Sequence, residues 1–315
     1  MDNYLIHWQR VLINPFIKPQ IGTVAPDAVT TPDILDIDGN LHLYIGSVDK
    51  EKERIIHMQV KRVNFLGSKP LIVLGSATVV VDAGPYDFDC KHVFDPATIV
   101  WNNQIYLYYS AIGRGEDSIG LAISKDGEKF IKIDKPIITG RSPEIVIKGD
   151  MIYMFFIREW ADKGYSIYLA QSKDGYNYSI LQDVPVLTFG SENEWDNSGV
   201  TTPRIIKINN TYYMLYAGLN RNDHKDVPRA FGISRSVDLV HWEKYSGNPV
   251  FKCGSDGSWD DGGIWFGTTF RLENKLFLMY EGGRLENILN RIPALTQIGL
   301  AEMSVELFKK SLINW

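Results

Sequence analysis

The sequence predicts an all-β fold, a five-bladed β-propeller with four antiparallel strands per blade. Three observations predict it. One hairpin type is written five times along the chain. A second, shorter hairpin type follows most of those copies, as in "SIGLAISKDGEKF" and "SIYLAQSKDGYNY". Long helical periodicity is absent, with only "NILNRI" and the last dozen residues reading as helix.

The first hairpins are "PDILDIDGNLHLYIG", "DPATIVWNNQIYLYYS", "PEIVIKGDMIYMFFI", "PRIIKINNTYYMLYA" and "TTFRLENKLFLMYEG". Each is an apolar strand, a two-residue polar turn and an apolar-aromatic strand. The turns fall at Asp38-Gly39, Asn102-Asn103, Gly149-Asp150, Asn209-Asn210 and Glu273-Asn274. Asp-Gly and Asn-Asn suit the positive φ that tight hairpins need. The second hairpins are "IGLAISKDGEKFIKI", "IYLAQSKDGYNYSIL" and "FGISRSVDLVHWEKY". "IGLAEMSVELF" holds the same place in the last unit, and "IIHMQVKRVNFL" in the first, more loosely. The strand near "WQRVLI" is expected to complete the last blade. A single domain over 1–315 is expected, since a repeat of this period marks an array of like units.

The bulk composition narrows the function. Of 315 residues, 44% are hydrophobic and 23% charged, and the net charge is −5. That balance argues against a nucleic-acid footprint. No apolar run approaches a membrane span. The start, "MDNYLIHWQRVLINPF", lacks the pattern of a signal peptide, and Cys90 and Cys253 fit no metal spacing. The expected compartment is the cytoplasm.

Counting back from the turns aligns the blades. Five residues before each turn stand Asp33, Ala97, Glu144, Arg204 and Thr268. Seven before stand Thr31, Asp95, Ser142, Thr202 and Phe266. A difference of two puts both sets on one face of a strand. In a propeller the inner strands line the axis, so Asp33, Asp95 and Glu144 are expected at one mouth. Two readings of such acids stand: capping of turns or pairing with an arginine, or glycoside hydrolysis, in which one carboxyl protonates the leaving oxygen while another activates water. A third acid crowding the donor would keep it protonated near neutrality.

These motifs resemble the five-bladed propeller glycosidases, the superfamily of glycoside hydrolase families 43, 32, 62, 117 and 130. "FDPATIVWNNQIYLYYS" has the Asp-Pro strand start of those families, and "IGLAISKDGEKF" is similar to second hairpins in families 130 and 43. The resemblance implies Asp33 as base, Asp95 as pKa modulator and Glu144 as acid in an inverting reaction. The chain also departs from the family patterns. Asp33 follows its Pro in "TTPDI", the acid sits in "SPEI", and "RSPE" and "TTPR" lack the Asp of the family 130 run Glu-Asp-Pro-Arg. Some relatives hold a central calcium, but the sequence shows no carboxylate cage for one, so no cofactor is expected. The "SKDG" pairs Asp126-Gly127 and Asp174-Gly175 are adjacent, unlike the Asp-x-Gly of a sialidase Asp-box, and read as turns.

A second layer surrounds the expected mouth. Arg114, Arg158, Arg221 and Arg284 end the strands after the tight turns, with Asp49 in that place in the first unit. Arg141 and Arg204 stand at inner-strand starts. Either they bind an anionic group or phosphate, or they pair with acids such as Asp33, Glu159 or Glu281. Glu281 joins them as a substrate-binding candidate. The loops "EWDNSGVTTP" and "SWDDGGIWFGTT" bring Trp195, Trp259 and Trp265, which either stack on sugars or pack between blades. Asp196 and Asp260 read as loop-turning residues, and His92 is placed near the axis.

The expected function is a glycoside hydrolase that removes a terminal sugar from an oligosaccharide, with an anionic group on the substrate as the reading the arginine set supports. The alternatives are a phosphorylase using the arginines to hold phosphate, and a non-catalytic glycan-binding propeller.

Overall fold

The computed structural model describes residues 6–20, 23–63, 71–159, 164–223, 227–289, 295–312 and 315. By its internal contacts the chain divides into two compact units, one of residues 19–141 and one of residues 1–18 with 142–315. The first strand, β1 (Gln9–Arg10), belongs to the second of these.

The unit 19–141 holds two antiparallel sheets. One runs β2 (Ala28–Ile37), β3 (Asn40–Asp49), β4 (Lys52–Val63) and β5 (Leu71–Leu74), with β6 (Thr78–Val81) also on β4. The other runs β7 (His92–Trp101), β8 (Gln104–Ile112), β9 (Ser118–Ser124) and β10 (Ile131–Lys132), with β11 (Ile138–Thr139) also on β9. Tyr44, Ile55, Val93, Leu107 and Tyr109 form the core between them.

The larger unit holds three sheets. The first is β12 (Arg141–Lys148), β13 (Met151–Glu159), β14 (Tyr165–Ser172) and β15 (Ser179–Ile180). The second is β16 (Gly199–Ile208), β17 (Thr211–Leu219), β18 (Ala230–Ser236) and β19 (Glu243–Lys244), with β20 (Phe251–Lys252) also on β18. The third is β21 (Gly263–Leu272), β22 (Lys275–Gly283), β23 (Gln297–Ser304) and then β1.

All five tight turns lie where the polar pairs predict them, between β2 and β3, β7 and β8, β12 and β13, β16 and β17, and β21 and β22. Their first residues are left-handed, with φ of 52° at Asp38, 49° at Asn102, 66° at Gly149, 55° at Asn209 and 53° at Glu273. The third-to-fourth strand turns share one hydrogen-bonded form. Ser124, Ser172 and Ser236 each accept two backbone N–H bonds through Oγ and donate to Asp126, Asp174 and Asp238. Each Asp in turn accepts the next two backbone N–H groups, which closes the turn locally.

The last sheet departs from the repeat. "IGLAEMSVELF" is not a hairpin: β23 runs straight into helix α2 (Val305–Ser311), whose first turn is capped by Ser304 Oγ. The fourth strand comes instead from the other end of the chain, as Gln9 pairs with Glu302 and Arg10 with Ala301. Here the expectation for "WQRVLI" holds. A short helix, α1 (Leu285–Leu289), covers the start of "NILNRI", whose remaining residues lie outside those described.

One element of the register differs from expectation. Thr30 pairs with Gly46, but Asp33 pairs with Tyr44, so one extra residue sits in β2. The same slip occurs between Phe94 and Ala97, between Thr201 and Arg204, and between Trp265 and Gly267. The residues seven before the turns are all left-handed there: φ is 42° at Thr31, 52° at Asp95, 53° at Ser142, 51° at Thr202 and 45° at Phe266. Such a bulge breaks the two-residue alternation. Asp33 therefore shares the pleat position of Thr30, and the inference from alternation that Thr31 or Asp95 shares a face with the five-back set fails. A β-branched or aromatic residue at positive φ is strained. Three of the five residues, Thr31, Thr202 and Phe266, are of that kind, and the recurrence of positive φ at all five equivalent positions marks these strand starts as built features.

Candidate active site

In the unit 19–141, Asp33 is buried on β2. Its Oδ2 accepts the Thr98 N–H at 2.9 Å and the Thr98 hydroxyl at 2.5 Å, which ties the first sheet to the second. Asp95 lies on β7 with only 1% of its surface exposed. Its Oδ2 accepts the Ser110 hydroxyl at 2.7 Å, and its N–H donates to Thr31 Oγ1 at 3.2 Å. Asp95 thus sits in the left-handed bulge with both backbone and side chain fixed. His92, also on β7, has Nδ1 3.5 Å from Glu53 Oε2. Burial, with Lys91 adding to it, moves the His92 imidazole below its ordinary value, so the ring is neutral at neutral pH. Burial first, then the nearby Asp95 charge, pushes the Glu53 carboxyl up to about 7, against the opposing pull of Arg141. Sequence reasoning missed Glu53, because it lies on the third strand of its sheet rather than the first.

In the larger unit, Glu144 on β12 and Arg204 on β16 come together. Glu144 Oε1 accepts the Ile205 N–H at 2.7 Å, and Oε2 lies 3.7 Å from Arg204 Nη1. Arg204 is 2% exposed, donates to the Pro143 and Pro203 carbonyls at 3.0 Å, and covers the Phe266 ring at 5.3 Å. Asp33 and Glu144 act alike on their neighbours. Each accepts the backbone N–H of the residue four before the turn in the sheet that follows. Both expected acids therefore fasten one sheet to the next as well as standing at strand starts.

The other arginines have local partners. Arg114 pairs with Asp87 at 3.3 Å, Arg141 with Asp117 at 3.4 Å and Arg284 with Glu286 at 3.7 Å. Arg221 holds Asn197 through its N–H and guanidinium, and Arg158 lies over the Phe156 ring. Glu281 is buried on β22 opposite Trp265.

Trp195 and Trp259 pack inside their own sheets. Trp195 lies 5.7 Å from the Tyr216 ring, and a side chain at Gly218 or Gly232 would collide with it. Trp259 repeats this against Tyr280, Gly282 and Gly299. The loop aspartates beside them do more than turn the chain. Asp89, Asp196 and Asp260 are buried, and each accepts the hydroxyl of a tyrosine 20 residues on: Tyr109, Tyr216 and Tyr280. Each also pairs with a cation on the fourth strand of its sheet: Lys132, Lys244 and Arg10. The constant Asp-to-Tyr spacing was a signal in the sequence that could have found them. Among the described residues, no group of three or more His, Cys, Asp or Glu is placed to hold a metal ion.

Comparisons with known proteins bear on this geometry. Residues 142–253, the stretch that carries Glu144 and Arg204, match a family described as β-1,4-mannooligosaccharide phosphorylase. A 1,2-β-oligomannan phosphorylase of Thermoanaerobacter sp. (strain X514) is 37% identical over 75 residues, 24% of this chain and 24% of that protein. A β-1,2-mannobiose phosphorylase of the same organism is 24% identical over 172 residues, 50% of this chain and 39% of that protein. The matched stretches thus span well under half of those relatives. A solved β-1,2-mannobiose phosphorylase from Listeria innocua, in complex with β-1,2-mannobiose, superposes with a TM-score of 0.73 at 13% identity, over 98% of this chain and 99% of that one. A structure described as from the family 130 mannoside phosphorylases, containing glycoside hydrolases that target β-1,2 mannosidic linkages in Candida mannan, gives 0.73 at 14% identity over 95% and 94%. The chain has the fold of the five-bladed β-propeller glycoside hydrolases, and over residues 142–253 it is similar to the mannooligosaccharide phosphorylases among them.

Proposed function

We propose that the chain cleaves β-mannosidic bonds and transfers the mannosyl group to inorganic phosphate. One observation carries this reading: the stretch similar to mannooligosaccharide phosphorylases is the one in which a buried arginine, Arg204, is set against an acid, Glu144. In phosphorolysis the C1–O bond breaks and a phosphate oxygen bonds to C1. The leaving oxygen takes a proton, which this reading draws from Glu144. Phosphate is already an anion, so Asp33 has no water to activate. Asp95 keeps its role as modulator.

Hydrolysis is the second reading. The missing Asp in "RSPE" and "TTPR" favours it, since that Asp is the acid of the phosphorylase run. There Asp33 serves as the base. Incubation with β-1,2- and β-1,4-mannobiose, with and without phosphate, separates the two. Mannose 1-phosphate formed only with phosphate supports phosphorolysis. Free mannose at equal rates in both conditions supports hydrolysis. No cleavage of either disaccharide sinks both and leaves a glycan-binding module.

A further inference from the structure

We propose that the chain carries a second ligand site, a pocket at one end of the β16–β20 sheet that takes a hexose phosphate. The pocket has a volume of about 320 Å³, at the lower end of the range for small-molecule sites, which suits one sugar ring with a charged group. Neither Glu144 nor Arg204 lines it. The inference does not depend on the reaction proposed above.

The loop before β16, the end of β17, the start of β18 and β20 form the pocket. Leu219 pairs with Gly199, so β17 ends where β16 begins. Ala230, the first residue of β18, pairs with Gly218 on one side and Lys252 on the other. The pocket therefore opens at the end of the sheet where β16 starts. Arg204 pairs with Leu215, further along the sheet. Trp195, Val227 and Pro249 give the pocket an apolar wall. Trp195 is held there by Tyr216 and by its close approach to Gly218 and Gly232. Such a wall suits the C–H face of a sugar ring.

The charged groups on the wall lean positive. Arg229 and Lys252 stand there with one carboxylate, Asp223. Arg229 is fixed in place: Nε donates to Cys253 Sγ at 3.3 Å and Nη2 to the Asp261 carbonyl at 2.8 Å, while Nη1 reaches Asp223 Oδ1 only at 3.5 Å. A guanidinium carries more N–H donors than those bonds use, so donors remain for a ligand. Lys252 is exposed, and its ammonium has no hydrogen-bond or ion-pair partner among the described residues. A planar fork beside a compact point charge suits a phosphate group. The apolar wall gives a sugar ring a surface to cover, which bare phosphate would leave open to water.

Cys253 lines the same pocket and reports its occupancy, while Cys90, exposed in the other unit, is an internal reference. Alkylation of both thiols in the full chain by N-ethylmaleimide, followed by peptide mass spectrometry, measures it. Mannose 1-phosphate at about ten times its dissociation constant should slow Cys253 about tenfold and leave Cys90 unchanged. Mannose alone and inorganic phosphate alone, at the same concentration, should protect neither thiol. Lys252→Met should need about tenfold more mannose 1-phosphate for the same protection, and Lys252→Arg should restore it. Glu144→Gln should leave the protection as it is. Calorimetric titration reads the same loss of affinity in Lys252→Met without the thiol. Cys253 alkylated at one rate with and without mannose 1-phosphate overturns the proposal. So does equal protection by inorganic phosphate, affinity unchanged in Lys252→Met, or protection lost in Glu144→Gln. All of these measure binding, so failure to cleave a mannoside leaves the test of the pocket intact.

Discussion

One buried ion pair reinforces the strand pairing that closes the last sheet with the first strand, and Arg10→Met tests it. Asp260 is fully buried and accepts Arg10 Nε at 2.8 Å and Tyr280 Oη at 2.9 Å, with Ser258 Oγ at 3.2 Å on its other oxygen. Arg10 also donates to the Lys252 carbonyl at 2.6 Å and lies 4.5 Å from the Phe251 ring centre. At 2.8 Å and an effective dielectric of about 20, the Coulomb attraction is about 6 kcal/mol. Desolvation of both groups offsets part of it. Methionine keeps the apolar stem over Phe251 but removes the charge, leaving a buried carboxylate with hydroxyl partners alone. The expected loss is about 3–5 kcal/mol, the cost of breaking a buried pair from one side. Urea unfolding followed by tryptophan fluorescence measures it. The double variant Arg10→Met/Asp260→Asn should cost less than the two single variants summed, because neither partner is then left charged and alone. Glu306→Gln, which breaks the exposed Glu306–Lys310 pair, is the control and should leave the unfolding midpoint nearly unchanged. A loss below about 1 kcal/mol for Arg10→Met, or a strictly additive double variant, would refute the reasoning.

Three further outcomes are expected. Glu144→Gln keeps an oxygen for the Ile205 N–H but cannot donate a carboxyl proton, so kcat on mannobiose should drop about 10²–10⁴-fold with the fold intact by circular dichroism. The Glu53 carboxyl is raised from 4.5 to about 7, so the folded state holds its proton more tightly than the unfolded chain, and stability from this group is lost as pH rises through that window. Glu53→Gln should therefore match wild type at pH 4 and gain up to about 3 kcal/mol at pH 8 in urea unfolding. Gly127 has φ of +77°, and an added Cβ would meet the Tyr44 hydroxyl at 2.9 Å, so Gly127→Ala should lower stability by about 1–3 kcal/mol in the same assay.

By itself the sequence determined the five hairpins and their turn positions, while the return of the N-terminal strand followed from propeller architecture. The hairpins are local: Asp38-Gly39 or Asn102-Asn103 favours its own left-handed turn, and the flanking apolar strands declare their period within about ten residues. It also brought Asp33, Asp95 and Glu144 to notice, because equivalent strand starts can be counted from those turns. The tertiary structure alone decided the rest. Thr31 and Phe266 have no residue-type preference for positive φ, and only pairing with the neighbouring strands forces the bulge there. Arg10 meets Asp260 across 250 residues, and Glu53 comes to His92 because β4 packs on β7, neither of which any local pattern records. Charge state is decided last of all, since burial and neighbours set it, and both are properties of the folded chain.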